Sequence, residues 1–171
     1  LHGPILKENL GYYIGKYMTW SSYEPEDDGV LVAYASIHGN TKKAAEKMKE
    51  ILEAKGAKKV AITDLSRDDM AEAIEDAFRY DKLVLAAASY DASVFPCMET
   101  FLNKLTNKNY QNRKIAIIEN GSWAPTAARV MKSYVEKMKK ITLCEKTVTI
   151  KSAMKDADVT CLLYTSDAAD E

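Results

Sequence analysis

The hexapeptide Ser36-Ile37-His38-Gly39-Asn40-Thr41 places small, hydroxyl-bearing and glycine residues directly after an apolar run. Where a strand turns into a helix, unpaired backbone N–H groups and the helix dipole favour an anion, and a glycine lets the chain bend closely around it. The side chains of Ser36, Asn40 and Thr41 add donors, and each hydrogen bond to a charged group is worth about 1.5–3 kcal/mol, so no lysine or arginine is required. The hexapeptide predicts a phosphate-binding loop, with a plain helix-capping turn as the alternative.

Two further loops each offer an aromatic side chain and a flexible backbone. The residues concerned are Ser89, Tyr90, Asp91, Ala92, Ser93 and Phe95 in one loop and Asn120, Gly121, Ser122, Trp123 and Ala124 in the other. Both loops follow predicted strands, and ligands of parallel α/β sheets bind beyond the carboxyl ends of the strands. A flavin ring needs apolar faces on both sides and backbone donors and acceptors along its edge. We therefore predict that Tyr90 and Trp123 cover a flavin ring, the alternative being that either one fills the core.

The elements that would carry these loops alternate between apolar runs and amphipathic segments. The predicted strands are Val30–Tyr34, Lys59–Thr63, Lys82–Ala88, Lys114–Glu119 and Thr142–Ile150. The predicted helices are Asn40–Lys55, Asp69–Tyr80, Pro96–Leu105 and Pro125–Lys139. This alternation is typical of βαβ units, so the sequence predicts a doubly wound α/β fold with a five-stranded parallel sheet and helices on both faces.

Composition narrows the classes of partner. The formal net charge is −1, with 24 basic and 25 acidic side chains, which favours neither nucleic acid nor an anionic membrane as a partner. The three cysteines, Cys97, Cys144 and Cys161, form no CxxC pair, which argues against zinc and disulfides and for a reducing cytoplasm. Cys97 follows Pro96 at a predicted helix start, and a buried free thiol is the preferred interpretation over a reactive thiolate. Neither an apolar run of membrane-spanning length nor a leader pattern is present in the sequence.

The sequence resembles a known protein family over roughly Leu1 to Thr160. Ser-Ile-His-Gly-Asn-Thr resembles the phosphate loop of flavodoxins, and Glu-Asn-Gly-Ser-Trp-Ala-Pro-Thr-Ala, which begins at Glu119, resembles the flavin loop of flavodiiron proteins. The resemblance implies a flavodoxin-like fold with strand order 2-1-3-4-5 and FMN as cofactor. His38 departs from the pattern, because it stands where other flavodoxins usually carry a threonine.

The resemblance also implies a larger parent protein. Flavodiiron proteins join a metallo-β-lactamase-like diiron domain to a C-terminal flavodoxin-like domain. They take electrons from a rubredoxin or a flavin reductase, reduce oxygen or nitric oxide at the diiron centre, and work as head-to-tail homodimers. The opening His2-Gly3-Pro4 is similar to the family's Ser-His-Gly segment, so His2 would be an orphan diiron ligand, and this fragment is expected to bind no metal.

Three segments are predicted on this basis. Residues 1–28 would be the end of a lost metallo-β-lactamase-like domain plus a linker helix, with an apolar stripe over Leu6–Trp20; a helix packed on the following domain is the alternative. Residues 29–160 would be the FMN-binding domain. Residues 161–171 resemble a translated sequencing adapter and are expected to be an artefactual tail. A last helix beginning at Asp156 would then be truncated after its opening turn, Asp156–Thr160.

Other functions remain open or are disfavoured by particular positions. A free-standing flavodoxin electron shuttle would share every flavin residue, and a cofactor-free interaction domain is also possible. A phosphoacceptor receiver module needs acidic residues where this chain has Tyr34-Ala35-Ser36 and Ala87-Ala88-Ser89. A P-loop or Rossmann enzyme is disfavoured because neither GxxxxGK[ST] nor GxGxxG occurs.

Overall fold

A computed structural model of the chain describes the backbone of residues 3–170 and the side chains of residues 3–166. Within this part of the chain, the strands are β1 (Asp27–Ala35), β2 (Val60–Asp64), β3 (Tyr80–Tyr90), β4 (Ser93–Val94), β5 (Gln111–Asn120) and β6 (Lys139–Ile150). The helices are α1 (Leu10–Ser21), α2 (Asn40–Ala54), α3 (Met70–Arg79), α4 (Pro96–Asn107), α5 (Ala127–Val135) and α6 (Asp156–Asp170). Five strands lie parallel in the order β2-β1-β3-β5-β6, and the two-residue β4 pairs antiparallel with the end of β3. The predicted fold class and the order 2-1-3-4-5 are confirmed, since β4 changes only the labels.

β1 shows how the sequence produces layers on both faces of the sheet. Every side chain from Val30 to Ala35 is buried, and successive side chains of a strand point to opposite faces. Leu31, Ala33 and Ala35 join the core covered by α3, α4 and α5, whereas their neighbours join the core covered by α2 and α6. Each large side chain buried in these cores stabilises the fold by roughly 1.5–3 kcal/mol.

The bounds of β3 and β6 differ from the prediction because strand pairing overrides local preference. β3 begins at Tyr80 rather than Lys82, since Tyr80 pairs with Asp27 of β1. β6 begins at Lys139, opposite Gln111, so α5 ends at Val135 instead of continuing. Such long-range pairing cannot be read from one segment of sequence.

α6 begins at Asp156, as predicted, but continues to Asp170 instead of stopping at Thr160. Leu162 is fully buried in the core shared with α2 and β6, and Val159 packs at the edge of the same core. These two residues are three apart and therefore lie on one face of the helix. The helix thus extends past its predicted opening turn, because residues 161–166 supply the buried Leu162 at the required spacing.

α1 lies beside the domain with none of its side chains buried. It is tied to β1 through Glu26, which accepts hydrogen bonds from the ammonium of Lys16 and from the indole N–H of Trp20, the latter at 2.6 Å. Its apolar side chains remain largely exposed; they are Leu10, Tyr12, Tyr13, Ile14, Tyr17, Met18 and Trp20. The alternative that α1 packs on the following domain is therefore not supported by any buried side chain of α1. Among the described residues, no helix combines the length and apolar character that crossing a membrane requires.

Arg113 connects the segment after α1 to the sheet. This buried guanidinium donates hydrogen bonds to the carbonyl oxygens of Tyr23 and Phe78, both at 2.6 Å, and of Tyr80 at 2.8 Å. It also donates to the carbonyls of Gln111 and Asn112 within β5. The planar guanidinium carries five N–H donors, so one side chain fixes backbone from three parts of the chain.

Candidate functional site

The three predicted loops meet at one edge of the sheet. β1, β3 and β5 are adjacent parallel strands, with Ala35 beside Ala87 and Ala88 beside Asn120. Their carboxyl ends therefore deliver residues 36–41, 89–95 and 120–124 to the same rim, which is where doubly wound sheets bind ligands. We call these the first, second and third rim loops.

The first rim loop leaves the N-terminus of α2 open. Gly39 caps the helix with φ 84°, a left-handed conformation that L side chains rarely adopt, and its N–H donates to the hydroxyl of Ser36 at 3.0 Å. Within residues 3–166, no side-chain oxygen accepts from the N–H of Asn40 or Thr41. The side chains of Ile37 and His38 are exposed, and Thr41 is only 2% exposed. Free N–H groups beside hydroxyl and amide side chains suit a phosphate monoester.

The second rim loop is a tight hairpin. Tyr90 pairs with Ser93 across a two-residue turn, and Asp91 and Ala92 have φ values of 49° and 54°, as a type I′ turn requires. An alanine in this conformation costs roughly 1–2 kcal/mol. The Tyr90 ring lies edge-on to Phe95 with centroids 5.7 Å apart. The turn therefore holds Tyr90 against Phe95 at the rim.

The third rim loop is fixed at its base and open at its tip. The amide of Asn120 donates to the Ser152 carbonyl at 2.8 Å and accepts from the Ser152 N–H at 3.1 Å, which joins the ends of β5 and β6. A Cβ on Gly121 would lie 2.9 Å from the Ser89 hydroxyl and 3.0 Å from Pro125 Cα, so this position requires glycine. Beyond it, Ser122, Trp123 and Ala124 are exposed.

The two predicted aromatic faces are both accessible. Trp123 is 97% exposed and Tyr90 is 50% exposed, so neither is core filler. Large aromatic side chains bury 150–250 Å² each when covered, so an exposed pair at one rim has substantial apolar area to offer a ligand. The rim thus combines a helix N-terminus without a side-chain cap with two uncovered aromatic rings, a set of groups that fits FMN.

Sequence reasoning missed the contacts that cap α5. The Ser89 hydroxyl oxygen accepts hydrogen bonds from the N–H groups of Thr126 at 2.9 Å and Ala127 at 3.1 Å. Glu119, 7% exposed at the end of β5, accepts from the Ala128 N–H at 2.8 Å and from the Thr149 hydroxyl at 2.8 Å. The sequence does carry a signal for Glu119. It is a charged residue that directly follows the apolar run Ile115–Ile118, in a strand whose two faces are both buried. Ser89 therefore positions the loop through this oxygen, whereas its contact with cofactor stays a prediction.

Other candidate groups lie away from this chemistry. Burial raises the pKa of the Cys97 thiol, which disfavours a thiolate at the start of α4. Burial and the neighbouring Asp64 raise the pKa of Tyr34 to about 12. Within the described residues, no cluster of three or more His, Cys, Asp or Glu side chains could hold a metal. His2, the suggested orphan ligand, lies outside the described residues.

Comparison with known proteins supports this picture. A Flavodoxin domain profile matches residues 31–151. The anaerobic nitric oxide reductase flavorubredoxin of Aeromonas hydrophila is 23% identical over 123 residues, 71% of this chain and 25% of that protein. The chain therefore spans about a quarter of the length of this relative.

Solved structures show the same fold. A variant of the flavo di-iron protein from Thermotoga maritima has a TM-score of 0.83 at 22% identity, over 99% of this chain and 42% of its own. A flavodoxin from the domain Archaea has a TM-score of 0.71 at 19% identity, over 83% of this chain and 96% of its own. The resemblance to the flavin domain of flavodiiron proteins is confirmed by these matches. Because the Flavodoxin domain profile matches more than half of the chain, and the matched residues 31–151 contain all three rim loops, the chain belongs to the flavodoxin family.

Proposed function

We propose that this chain is the FMN-binding electron-transfer domain of a flavodiiron protein, an oxidoreductase that reduces oxygen or nitric oxide. The observation that carries the proposal is the uncapped N-terminus of α2 beside two exposed aromatic rings. FMN has a phosphate and a flat ring, and the rim offers a complement to each. When bound, FMN supplies one-electron or two-electron redox chemistry.

The chain's own residues bind and orient the cofactor. The backbone N–H groups of Asn40 and Thr41, with the side chains of the first rim loop, hold the phosphate. Tyr90 and Trp123 would cover the ring, and the exposed residues Ser122 and Ala124 would offer backbone donors and acceptors to its edge. Burying the rings against protein excludes water from them and gives each aromatic contact about 0.5–1.5 kcal/mol beyond its area.

Two observations favour a flavodiiron parent over a free-standing flavodoxin. The flavo di-iron structure covers 99% of this chain and the archaeal flavodoxin 83%, a difference comparable to the segment before β1. That segment contains α1, whose apolar side chains are exposed on this domain and suit a further domain of the parent. The archaeal flavodoxin nevertheless matches over 96% of its own length, which keeps the free shuttle as the second candidate.

In the proposed parent, an upstream metallo-β-lactamase-like domain holds the diiron centre and residues 1–28 lead from it into the flavin domain. A rubredoxin or a flavin reductase supplies electrons, and a head-to-tail homodimer brings the flavin of one subunit to the iron site of the other. The setting would be the cytoplasm. Sequence upstream of Leu1 tests this: metal ligands of a diiron domain support the parent, whereas a start codon directly upstream of Leu1 supports the free shuttle.

FMN binding is tested by titrating the purified apoprotein with FMN and with riboflavin, which lacks the phosphate. We expect FMN to bind at least about 10-fold more tightly, because the α2 N-terminus contributes only to phosphate binding. Fluorescence quenching of the flavin measures both affinities. A folded protein that binds neither flavin would reject the proposal in favour of a cofactor-free interaction domain.

A further inference from the structure

Glu119 lies where β5 enters the third rim loop. Its carboxylate accepts from the Ala128 N–H and from the Thr149 hydroxyl, both at 2.8 Å. Each of the two carboxylate oxygens therefore acts as a hydrogen-bond acceptor. Glu119 also pairs in register with Ala87 of β3 and Thr149 of β6, which places it directly beneath the rim.

The charge of Glu119 has no ionic partner. Within residues 3–166, no lysine or arginine forms a salt bridge with it, and the N-terminal dipole of α5 provides the compensation instead. A charge screened by little water acts over a longer range than an exposed one. The next residue, Asn120, already belongs to the loop proposed to meet the flavin.

We propose that Glu119 is a positioning residue that sets the redox preference of the bound FMN. Its hydrogen bonds fix the start of α5 relative to β6. Its charge, which the α5 dipole offsets only in part, disfavours the reduced flavin, which gains negative charge as electrons arrive. This inference rests on the proposed function. It assigns to a buried strand-end residue a role that a purely structural cap would not have.

Glu119→Gln tests the charge while keeping the shape. The glutamine oxygen can accept from the Ala128 N–H, and its amide can donate to the Thr149 hydroxyl. We expect the ratio of affinities for reduced over oxidised FMN to rise by about 3- to 10-fold, the order expected for one partly screened charge near the ring. Spectroelectrochemical titration of the holoprotein measures this ratio as a higher midpoint potential.

Glu136→Gln is the matched control, because it removes the same charge from the exposed C-terminal end of α5. It should leave the affinity ratio unchanged. Thr149→Lys is the second variant: it keeps the Glu119 carboxylate but replaces its hydroxyl donor with an ammonium on an exposed position of β6, so the ratio should again rise. If Glu119→Gln does not fold, the affinity ratio of Thr149→Lys tests the role of Glu119 instead: a rise supports it and an unchanged ratio overturns it.

The outcomes separate the two proposals. An unchanged ratio in a folded Glu119→Gln protein, or an equal change in Glu136→Gln, overturns the role of Glu119 while FMN binding stands. Failure of the wild-type protein to retain FMN overturns both. A rise in Glu119→Gln and Thr149→Lys, with no change in Glu136→Gln, supports the role.

Discussion

The N-termini of α2 and α5 lie at the same rim but are treated in opposite ways. At α2, Gly39 supplies no capping side chain and the first-turn N–H groups face the loop. At α5, three successive N–H groups, those of residues 126–128, are taken by Ser89 and Glu119. Both helices offer the positive end of a dipole, but only α2 offers free donors with it. Of these two helices only α2 keeps its first N–H groups free, and this is where the proposed phosphate site lies.

The strongest way to break this difference is to give α2 a carboxylate of its own. Ser36→Asp places a negative charge where the Ser36 hydroxyl now accepts from Gly39. We expect FMN affinity to fall about 100-fold, because the new charge occupies the donors and repels the phosphate. Riboflavin affinity, measured by the same fluorescence titration, should stay within about twofold, since the effect on the ring is small. An equal loss for both flavins would contradict the comparison.

A milder disruption changes the backbone of the first rim loop. Gly39→Ala forces an L side chain into φ 84° and should reduce FMN affinity about 10- to 30-fold as the loop shifts. Gly56→Ala is the control, because Gly56 has φ 91° and equally open surroundings at the other end of α2. It should lower the melting temperature without changing FMN affinity. Equal affinity losses would show that strain alone explains the result.

Removing the Trp123 ring sharpens the comparison, because it separates binding of the flavin ring from binding of the phosphate. Trp123→Ala should weaken FMN and riboflavin equally, by about 5- to 10-fold, since one aromatic stacking contact is lost. The melting temperature of the apoprotein should not move, because Trp123 is almost fully exposed. Trp20→Ala in α1 is the matched control, because Trp20 is also an exposed tryptophan but lies outside the rim loops. A loss confined to FMN would place Trp123 against the phosphate instead of the ring.

The smallest expected effect comes from uncapping α5. Ser89→Ala leaves the N–H groups of Thr126 and Ala127 without their acceptor and should lower the free energy of unfolding by about 1–2 kcal/mol. FMN affinity should change by less than about threefold, because α5 still holds Glu119. Chemical denaturation of the apoprotein measures the first quantity. A Ser89→Ala protein that binds inorganic phosphate at α5 would extend the comparison to both helices.

The alternation of strands and helices made the fold predictable, because apolar period and length are local properties of the sequence. The first rim loop was predictable for the same reason, since its strand, glycine and helix start are contiguous. Ser89 and Glu119 as helix caps were not, because their partners lie 37 or 38 and 9 residues away. The hairpin with β4 was missed because two residues are too few to show a period. The continuation of α6 was missed because its residues were excluded from the fold.

Arg113 makes β5 a mechanical link. Near the start of β5, the Arg113 guanidinium donates a hydrogen bond to the carbonyl of Tyr23, just after α1. Given the rise per residue of a strand, Arg113 lies about 23 Å from Asn120 at the other end. Because β5 lies between β3 and β6, it transmits displacement better than it bends. A displacement of the segment after α1 would therefore be passed along the strand to the loop that bears Trp123.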